Sequence, residues 1–380
     1  MEDFRFVNNK FMRLGITTGS CAAAAAKGAA LYLLTGAAPS VITLTTPCGY
    51  ILELEIESSW RERDQACCSV RKDAGDDPDI TDGALIVACV SKRTSGFFVE
   101  GGSGVGRVTK AGLDQPVGAA AINSVPRAQI TEALHQVAEA AGYEGGLLAT
   151  ISVPEGEKLA AKTFNPKLGI VGGISIIGTK GIVEPMSDRA IVETVRSELK
   201  VLRAEGHQGL LLTIGNYGQR FVHERLGGDF PSQTMVSNFV GDAIAVAIEE
   251  GFTKLLLVGH LGKMVKLGIG ITNTHSSHGD GRIETMIACA LAAGAERDQL
   301  LAVLESVTTE AALEIITRAG LREKTLRILG QRIEDTLLAQ VIPGIEIGYI
   351  CFVGGAEQME LMRSANAESL IENICNRGNV

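Results

Sequence analysis

Aromatic side chains are scarce in this chain, at 4%, and Trp60 is the single tryptophan. A wall of stacked rings, of the kind that grips single-stranded nucleic acid, is therefore excluded. Positive charge is short as well. Lys and Arg number 35 against 44 Asp and Glu, for a formal net charge of −9, which disfavours nucleic acid and anionic membrane as partners. The eight cysteines contain no CxxC pair, and Cys67 and Cys68 are adjacent, which is poor geometry for an ordinary bridge. Zinc-ligand spacing and a secreted disulfide framework are both unsupported, and reduced thiols in a cytoplasmic protein are expected. No apolar stretch reaches the ~18–20 residues that span a bilayer. Ala22 to Leu34 comes nearest, but Lys27 interrupts it and Thr17-Thr18-Gly19-Ser20 precedes it as a helix cap would. It reads as a buried helix, not a signal peptide.

What is present is material for two full cores. The 380 residues are 46% hydrophobic and 21% charged, which suits two domains and argues against disorder. The first half reads as mixed α+β. A helix over 20–34 is capped by Ser20 or Thr18 and followed by Gly36. Strands are expected at 41–45, 51–56, 67–70, 84–90, 97–99 and 147–153, with a helix over 125–141. After Glu184-Pro185-Met186-Ser187 the texture changes. The apolar runs Leu210–Ile214 and Leu255–Val258, each ending at a glycine, alternate with helices at 187–205, 237–250, 281–294 and most of 297–340. A last strand is expected over 347–353. Such alternation predicts a parallel sheet covered on both faces. The fold class expected is α/β (mixed): an N-terminal α+β domain over 1–185, then a Rossmann-like three-layer domain over 186–380 with a mostly parallel sheet.

Charge is uneven along the chain. Glu53 to Asp82 holds ten acids and four bases, whereas Lys158 to Lys180 holds four lysines and no acid. Thr17, Thr18 and Ser20, feeding the alanine helix, are suited to capping, and such groups can also hold an anion at a helix start. Lys72 to Gly83 (KDAGDDPDITDG) fails the calcium-loop register and reads as an acidic turn. Asp76 or Asp77 in it could act as a base or sit near a sulfonium. Gly101-Gly102-Ser103-Gly104-Val105-Gly106-Arg107 is neither GxGxxG nor a Walker loop, yet exposed amides with Arg107 and Lys110 could cradle carboxylates. Lys162, with Lys167 and Lys180 among the glycines of residues 165–181, makes either a basic wall or a solvated face. Gly215-Asn216-Tyr217-Gly218 and Gly259-His260-Leu261-Gly262-Lys263 follow the two best parallel strands, where α/β sheets bind ligands. Thr274 to Arg282 carries His275, His278 and Asp280. Three ligands in one short loop are a weak metal signal, so no protein-bound metal is expected, and His275 is a candidate proton carrier.

Taken in order, these stretches resemble one family, the cobalt-precorrin-5B C1-methyltransferases. The matching segments are RLGITTGSCAAAAAKGA, VRKDAGDDPDITDG, GVGRVTKAGLDQPVGAAAINSVPR, NPKLGIVGGISIIGTKGIVEPMS, GNYG, and GHLGKMVKLG followed by NTHSSHGDGR, over roughly residues 13–282. Asp82 stands where that pattern has His, and Lys180 where it has Thr. The resemblance implies transfer of a methyl group from S-adenosylmethionine to C1 of cobalt-precorrin-5B, giving cobalt-precorrin-6A, on the anaerobic route to cobalamin. The cobalt would belong to the substrate. The corrinoid is then the expected partner, without nucleic acid or membrane, and a homo-oligomer is left open. The expected assignments follow. Asp76, Asp77 and His275 are catalytic candidates. Thr17, Thr18, Ser20, Arg107, Lys110, Arg127, Lys162 and Lys180 face the anionic macrocycle, which would lie between the domains. Gly215, Asn216, Gly218, Gly259, His260, Gly262 and Lys263 hold the donor. A nucleotide-dependent oxidoreductase is the rival enzyme, and it lacks its GxGxxG turn here. A corrinoid carrier is the non-enzyme rival, and it would need no sulfonium donor.

Overall fold

The computed structural model describes residues 4–7, 9–227 and 230–375. The chain divides into two compact units, Met1–Asp188 and Arg189–Val380.

The first unit is built on α1 (Thr18–Thr35), β1 (Val41–Thr45), β2 (Ile51–Glu55), β3 (Ser58–Glu62), β4 (Gln65–Arg71), β5 (Leu85–Arg93), β6 (Phe97–Gly101), α2 (Ser124–Ala140) and β7 (Gly146–Ser152). Its main sheet runs β3-β4-β5-β7-β6, antiparallel throughout except for the parallel β7/β6 pair. Alternation along the strands sends Cys68, Val70, Ile86, Ala88, Val90, Leu147, Ala149 and Ile151 to one face, where α1 and α2 cover them. Small side chains let α1 lie close: twelve of its residues are buried, most of them alanines. Its cap is Thr17, whose side chain accepts from the Ser20 amide, so the helix begins earlier than a Thr18 or Ser20 cap implies. Gly36 closes it in the left-handed conformation.

The expectation of reduced thiols throughout fails at one pair of cysteines. The thiols are not all reduced: Cys67 and Cys89 form a disulfide. Neighbouring residues on a strand point to opposite faces, so Cys68 joins the helix-covered core while Cys67 meets Cys89, its cross-strand partner on β5.

The second unit contains α3 (Asp188–Ala204), β8 (Gly209–Thr213), α4 (Gly215–Phe221), β9 (Gln233–Met235), α5 (Val240–Glu249), β10 (Lys254–His260), α6 (Leu261–Leu267), α7 (Arg282–Ala293), α8 (Arg297–Leu304), α9 (Thr309–Arg318), α10 (Arg322–Leu338), β11 (Glu346–Val353), β12 (Met359–Arg363) and α11 (Ala367–Cys375). The sheet order is β9-β8-β10-β11-β12; the first three pairings are parallel and only β12 runs antiparallel. Leu210, Leu212, Leu255, Leu257 and Tyr349 face a large helical layer, whereas Leu211, Leu256, Val258, Ile350 and Phe352 face α4 and α11. This is the three-layer arrangement expected, and strands buried on both faces explain the uninterrupted leucine runs. The edge strand β12, the short β9 and α11 carry no strong sequence signal and were not foreseen.

Alkylation under denaturing conditions should label six cysteines before reduction and eight after it, counted by mass. Eight labels without reduction would show the bridge is absent.

Candidate functional site

In the second unit, adjacent parallel strands β8 and β10 send their following helices to opposite faces. After β8 the chain enters α4, whose Phe221 packs in the smaller layer. After β10 it enters α6, whose Leu261, Met264 and Val265 pack in the larger one. The loops therefore part at the carboxyl ends of the strands and leave a crevice, the topological switch point of an open α/β sheet.

Sequence-selected residues line it. Gly215 takes φ of +69°, a turn that L side chains rarely adopt, and it starts α4 straight from the strand. The Lys263 ammonium lies so close that a β-carbon at Gly215 would sit 3.5 Å from Nζ. Lys263 has no ion-pair partner among the described residues. Burial, then repulsion from Lys266, holds its ammonium below the usual lysine range. Asn216 and Tyr217 are exposed, Gly218 and Gly259 are buried, and Gly262 is half-buried.

His260 caps α6. Its Nδ1 accepts from the Gly262 amide at 3.2 Å, and Nε2 lies 3.1 Å from the Glu310 carboxylate on α9. With Nδ1 an acceptor, the neutral ring carries its proton on Nε2 and donates it to Glu310. Burial pushes the imidazole below its ordinary value, and the Glu310 charge only partly offsets this. The ring stands edge-on to Phe352, 5.4 Å between centroids, and 6.2 Å from Tyr217. Glu310 and Phe352 escaped the sequence reading, because they lie 50 and 92 residues beyond His260. Only the strand pairing that sets His260 beside Phe352 and the packing of α9 bring them in.

His275 is exposed, and its Nδ1 is engaged by Ser277 at 2.7 Å. The loop carrying it is strapped down from inside. Lys266 is 4% exposed, yet its ammonium donates to the Thr274 and Gly279 carbonyls at 3.1 and 2.9 Å. A buried charge satisfied only by carbonyls holds both ends of that loop.

In the first unit most motif residues are occupied by the protein itself. The Thr17, Thr18 and Ser20 hydroxyls are buried and donate to carbonyls of Ser175, Ile177 and Gly181. They act as cap and strap rather than as an open anion site. Arg127 donates to the carbonyls of Ile122, Val99 and Ala120, an internal strut. Arg107 is exposed but reaches the Gly101 carbonyl at 3.1 Å and pairs with Glu100 at 3.0 Å. Lys180 is joined to Glu184 at 2.5 Å, and the Lys110 stem lies over Gly169. Lys162 is exposed, close in sequence to the exposed Phe164, over whose ring Lys167 places its ammonium at 5.7 Å. The glycines of 101–106 serve backbone crossing: a β-carbon at Gly104 would fall 1.8 Å from the Val153 carbonyl oxygen.

The acidic loop is a knot. Asp73 holds the Arg13 guanidinium through two bonds of 2.6 and 2.8 Å. Asp76 accepts from the Arg13 amide, Asp77 from the Met186 amide, and Asp82 from the Ala74 amide. Lys72, 1% exposed at its side chain, pairs with Asp79 at 2.7 Å. Burial opposes the Asp79 charge, but the Lys72 ammonium and the Thr81 hydrogen bonds outweigh it and hold the carboxyl below its ordinary value.

The family model described as CbiD matches residues 5–185, and that described as CbiD, C-terminal domain, matches residues 273–365. A cobalt-precorrin-5B C(1)-methyltransferase of Ruminiclostridium cellulolyticum is 45% identical over 323 residues, covering 85% of this chain and 84% of its own. That of Photorhabdus laumondii is 45% identical over 340 residues, covering 88% and 89%. That of Alkaliphilus metalliredigens is 39% identical over 379 residues, covering 100% and 99%. The crystal structure of a cobalamin biosynthesis protein (cbiD) from Archaeoglobus fulgidus aligns with a TM-score of 0.40 at 30% identity, covering 71% of this chain and 84% of that one.

Two measurements check these electrostatics. Asp79→Asn leaves the Lys72 ammonium buried without a counter-charge, and denaturation should show a loss of about 3–5 kcal/mol. The pair's contribution is present above the unfolded carboxyl value and lost as pH falls through the lower folded one. NMR titration of His260 should give a midpoint below 6.5, and Glu310→Gln should move it lower still. The neutral ring's contribution to stability is then present above about 6.5 and lost on acidification toward the folded value.

Proposed function

Because the chain belongs to the CbiD family of cobalt-precorrin-5B C(1)-methyltransferases, we propose that its two units divide that reaction, the second holding the methyl donor and the first the macrocycle. The protein is a methyltransferase of cobalamin biosynthesis that converts cobalt-precorrin-5B to cobalt-precorrin-6A, with S-adenosylmethionine as donor. The donor, when bound, supplies a methyl group on a positively charged sulfur.

The observation that carries the donor assignment is the β8/β10 crevice, with the Lys263 ammonium beside the Gly215 turn. Its residues fit the donor's chemistry. Lys263 offers a cation to a carboxylate. Tyr217, exposed, and His260, half-buried, offer ring faces and edges to a flat base or a sulfonium, with the buried Phe352 supporting the His260 ring. His260, kept neutral by burial and tied down at both nitrogens, adds no repulsion toward a positively charged sulfur. Gly215 and Gly262 keep side chains away from the crevice, whereas Gly218 and Gly259 are buried and serve close packing: a β-carbon there would meet the Val258 carbonyl or the Ile214 and Met264 side chains. Asn216, exposed on α4, is available to a polar edge of the donor.

For the acceptor, the reading favours the surface of residues 158–171. Lys162 and Lys167 supply positive charge there, and Phe164 and Val171, 50% and 51% exposed, supply apolar area. A flat macrocycle with carboxylates at its rim needs both. Arg107, whose guanidinium is exposed, is a second contact in this reading. Thr17, Thr18, Ser20, Arg127 and Lys180 support the fold around that surface instead of touching the ligand. The nucleophile is a carbon of the substrate, so alignment of the two reactants is the protein's main task, and such positioning can supply roughly 7–11 kcal/mol of a barrier. Asp76, Asp77 and His275 remain candidates for accepting a proton, each with one carboxylate oxygen or ring nitrogen outside the bonds described above. A cytoplasmic setting belongs to the same reading and is supported by Cys21, Cys48, Cys68, Cys289 and Cys351, which form no disulfide. No helix among the described residues is long and apolar enough to cross a membrane.

Anaerobic incubation with cobalt-precorrin-5B and labelled donor should yield a corrinoid heavier by one methyl, read by mass. Gly215→Trp should weaken S-adenosylhomocysteine by about tenfold or more in calorimetry, and Lys162→Glu should raise KM for the corrinoid while leaving that affinity unchanged. Equal donor affinity in Gly215→Trp would move the donor elsewhere. A bound but unmethylated corrinoid would favour a carrier.

A further inference from the structure

Gln358 closes the loop that follows β11, in a segment without any motif, and it is completely buried. Its Nε2 donates to the Tyr217 carbonyl at 3.0 Å, on the Gly215–Gly218 loop of the crevice. That bond sets the orientation of the amide, since a flipped side chain would place oxygen against oxygen. The amide oxygen Oε1 is then buried with no hydrogen-bond partner. An unpaired buried acceptor carries the cost of a lost hydrogen bond and calls for a reason. Two other buried side-chain atoms among the described residues share this condition, on Gln129 and Thr325; Gln129 donates to the Thr45 carbonyl at the end of β1, and neither side chain bonds to α4 or α6 beside the crevice.

The segment around Gln358 is fastened to the same helix. Arg220 on α4 donates to the Ala356 carbonyl at 2.7 Å and pairs with Glu224 at 2.8 Å. Gln358 is therefore held against the first turn of α4 by two independent attachments, with one acceptor unspent.

We propose that Gln358 is a specificity-determining residue of the donor site, its Oε1 accepting a hydrogen bond from an amine of the bound donor. The inference rests on the placement of the donor in the β8/β10 crevice. S-Adenosylmethionine has two such groups, the exocyclic amine of its adenine and its α-ammonium. Both are N–H donors, and the carboxylate beside the α-ammonium suits Lys263. Discrimination follows from the chemistry: a ligand with an acceptor at that position leaves two oxygens facing each other in a buried site.

Calorimetry on the full chain tests this with S-adenosylhomocysteine and S-inosylhomocysteine, in which a ring carbonyl replaces the adenine amine. Gln358→Met should weaken S-adenosylhomocysteine about tenfold, the scale of one buried hydrogen bond. Gln358→Glu keeps an acceptor toward the donor and, in the protonated form that a buried site favours, keeps an O–H toward the Tyr217 carbonyl, so it should stay within about threefold of the parent. If the adenine amine is the partner, the inosine ligand binds the parent weakly, and Gln358→Met, which removes the opposed oxygen, strengthens its binding. If the α-ammonium is the partner, both ligands bind the parent alike and Gln358→Met weakens both. Thermal melts accompany each variant, and Gln358→Asn, which shortens the reach, serves if Gln358→Met does not fold. Unchanged affinity in Gln358→Met, with loss in Gly215→Trp, overturns the role of Gln358 and leaves the crevice standing. Equal losses in the Met and Glu variants also overturn it, since the acceptor that Glu keeps would then contribute nothing to binding. Unchanged affinity in Gly215→Trp removes the donor from the crevice, and the proposal falls with it.

Discussion

A strand buried on both faces can present polar chemistry only at its ends, and the second unit follows from that constraint. β8 and β10 are closed above and below by leucine and valine, so no polar group along them has anywhere to act. Their carboxyl ends are the first places where backbone amides, a histidine and the Lys263 ammonium emerge. Because the next helices leave to opposite sides, these groups border a crevice instead of a packed corner. His260 shows the consequence most clearly. It caps α6, meets Glu310 from α9 and stands against Phe352 from the neighbouring strand, so four elements determine the state of one ring.

The first unit follows a different economy. Its motifs are rich in charge and glycine, yet most of those groups are turned inward. Arg127 satisfies three carbonyls, Asp73 satisfies Arg13, and Lys72 is neutralised by Asp79. A charge withdrawn from water must be matched by dipoles or an opposite charge, and loops crossing at backbone contact leave little room for water to do it. The same crossing explains why Gly104 tolerates no β-carbon. Charged residues that look like ligand contacts in a string of letters thus become the internal fastening of irregular segments. The positive, apolar surface at 158–171 is the part left facing outward.

Much of the fold was legible in the sequence because it rests on local patterns. Alanine repetition, a Thr/Ser start and Gly36 mark α1, and the leucine runs ending in glycine mark β8 and β10. Elements whose stability comes from neighbours were not legible. β12 is an edge strand with ordinary composition, β9 has three residues, and the breaks that divide the helical region 297–340 into α8, α9 and α10 were not placed by the sequence pattern. The Cys67–Cys89 bridge depends on a cross-strand register that residue spacing does not reveal. Of the candidate site, the glycine loops and His260 were visible, since strand-end position is itself a sequence property. Glu310, Phe352 and Gln358 were not.

The sequence by itself determined the family, the two-part organisation and the parallel core, because periodicity, capping residues and long shared motifs survive in one dimension. Only the tertiary structure decided which charges are spent and which are free. That distinction depends on burial and on the nearest carbonyl or carboxylate, quantities set by segments tens of residues apart. Lys263 and Lys266 are one helical turn apart and alike in composition. One is strapped inside by carbonyls and the other stands beside Gly215, and no feature of the sequence separates them.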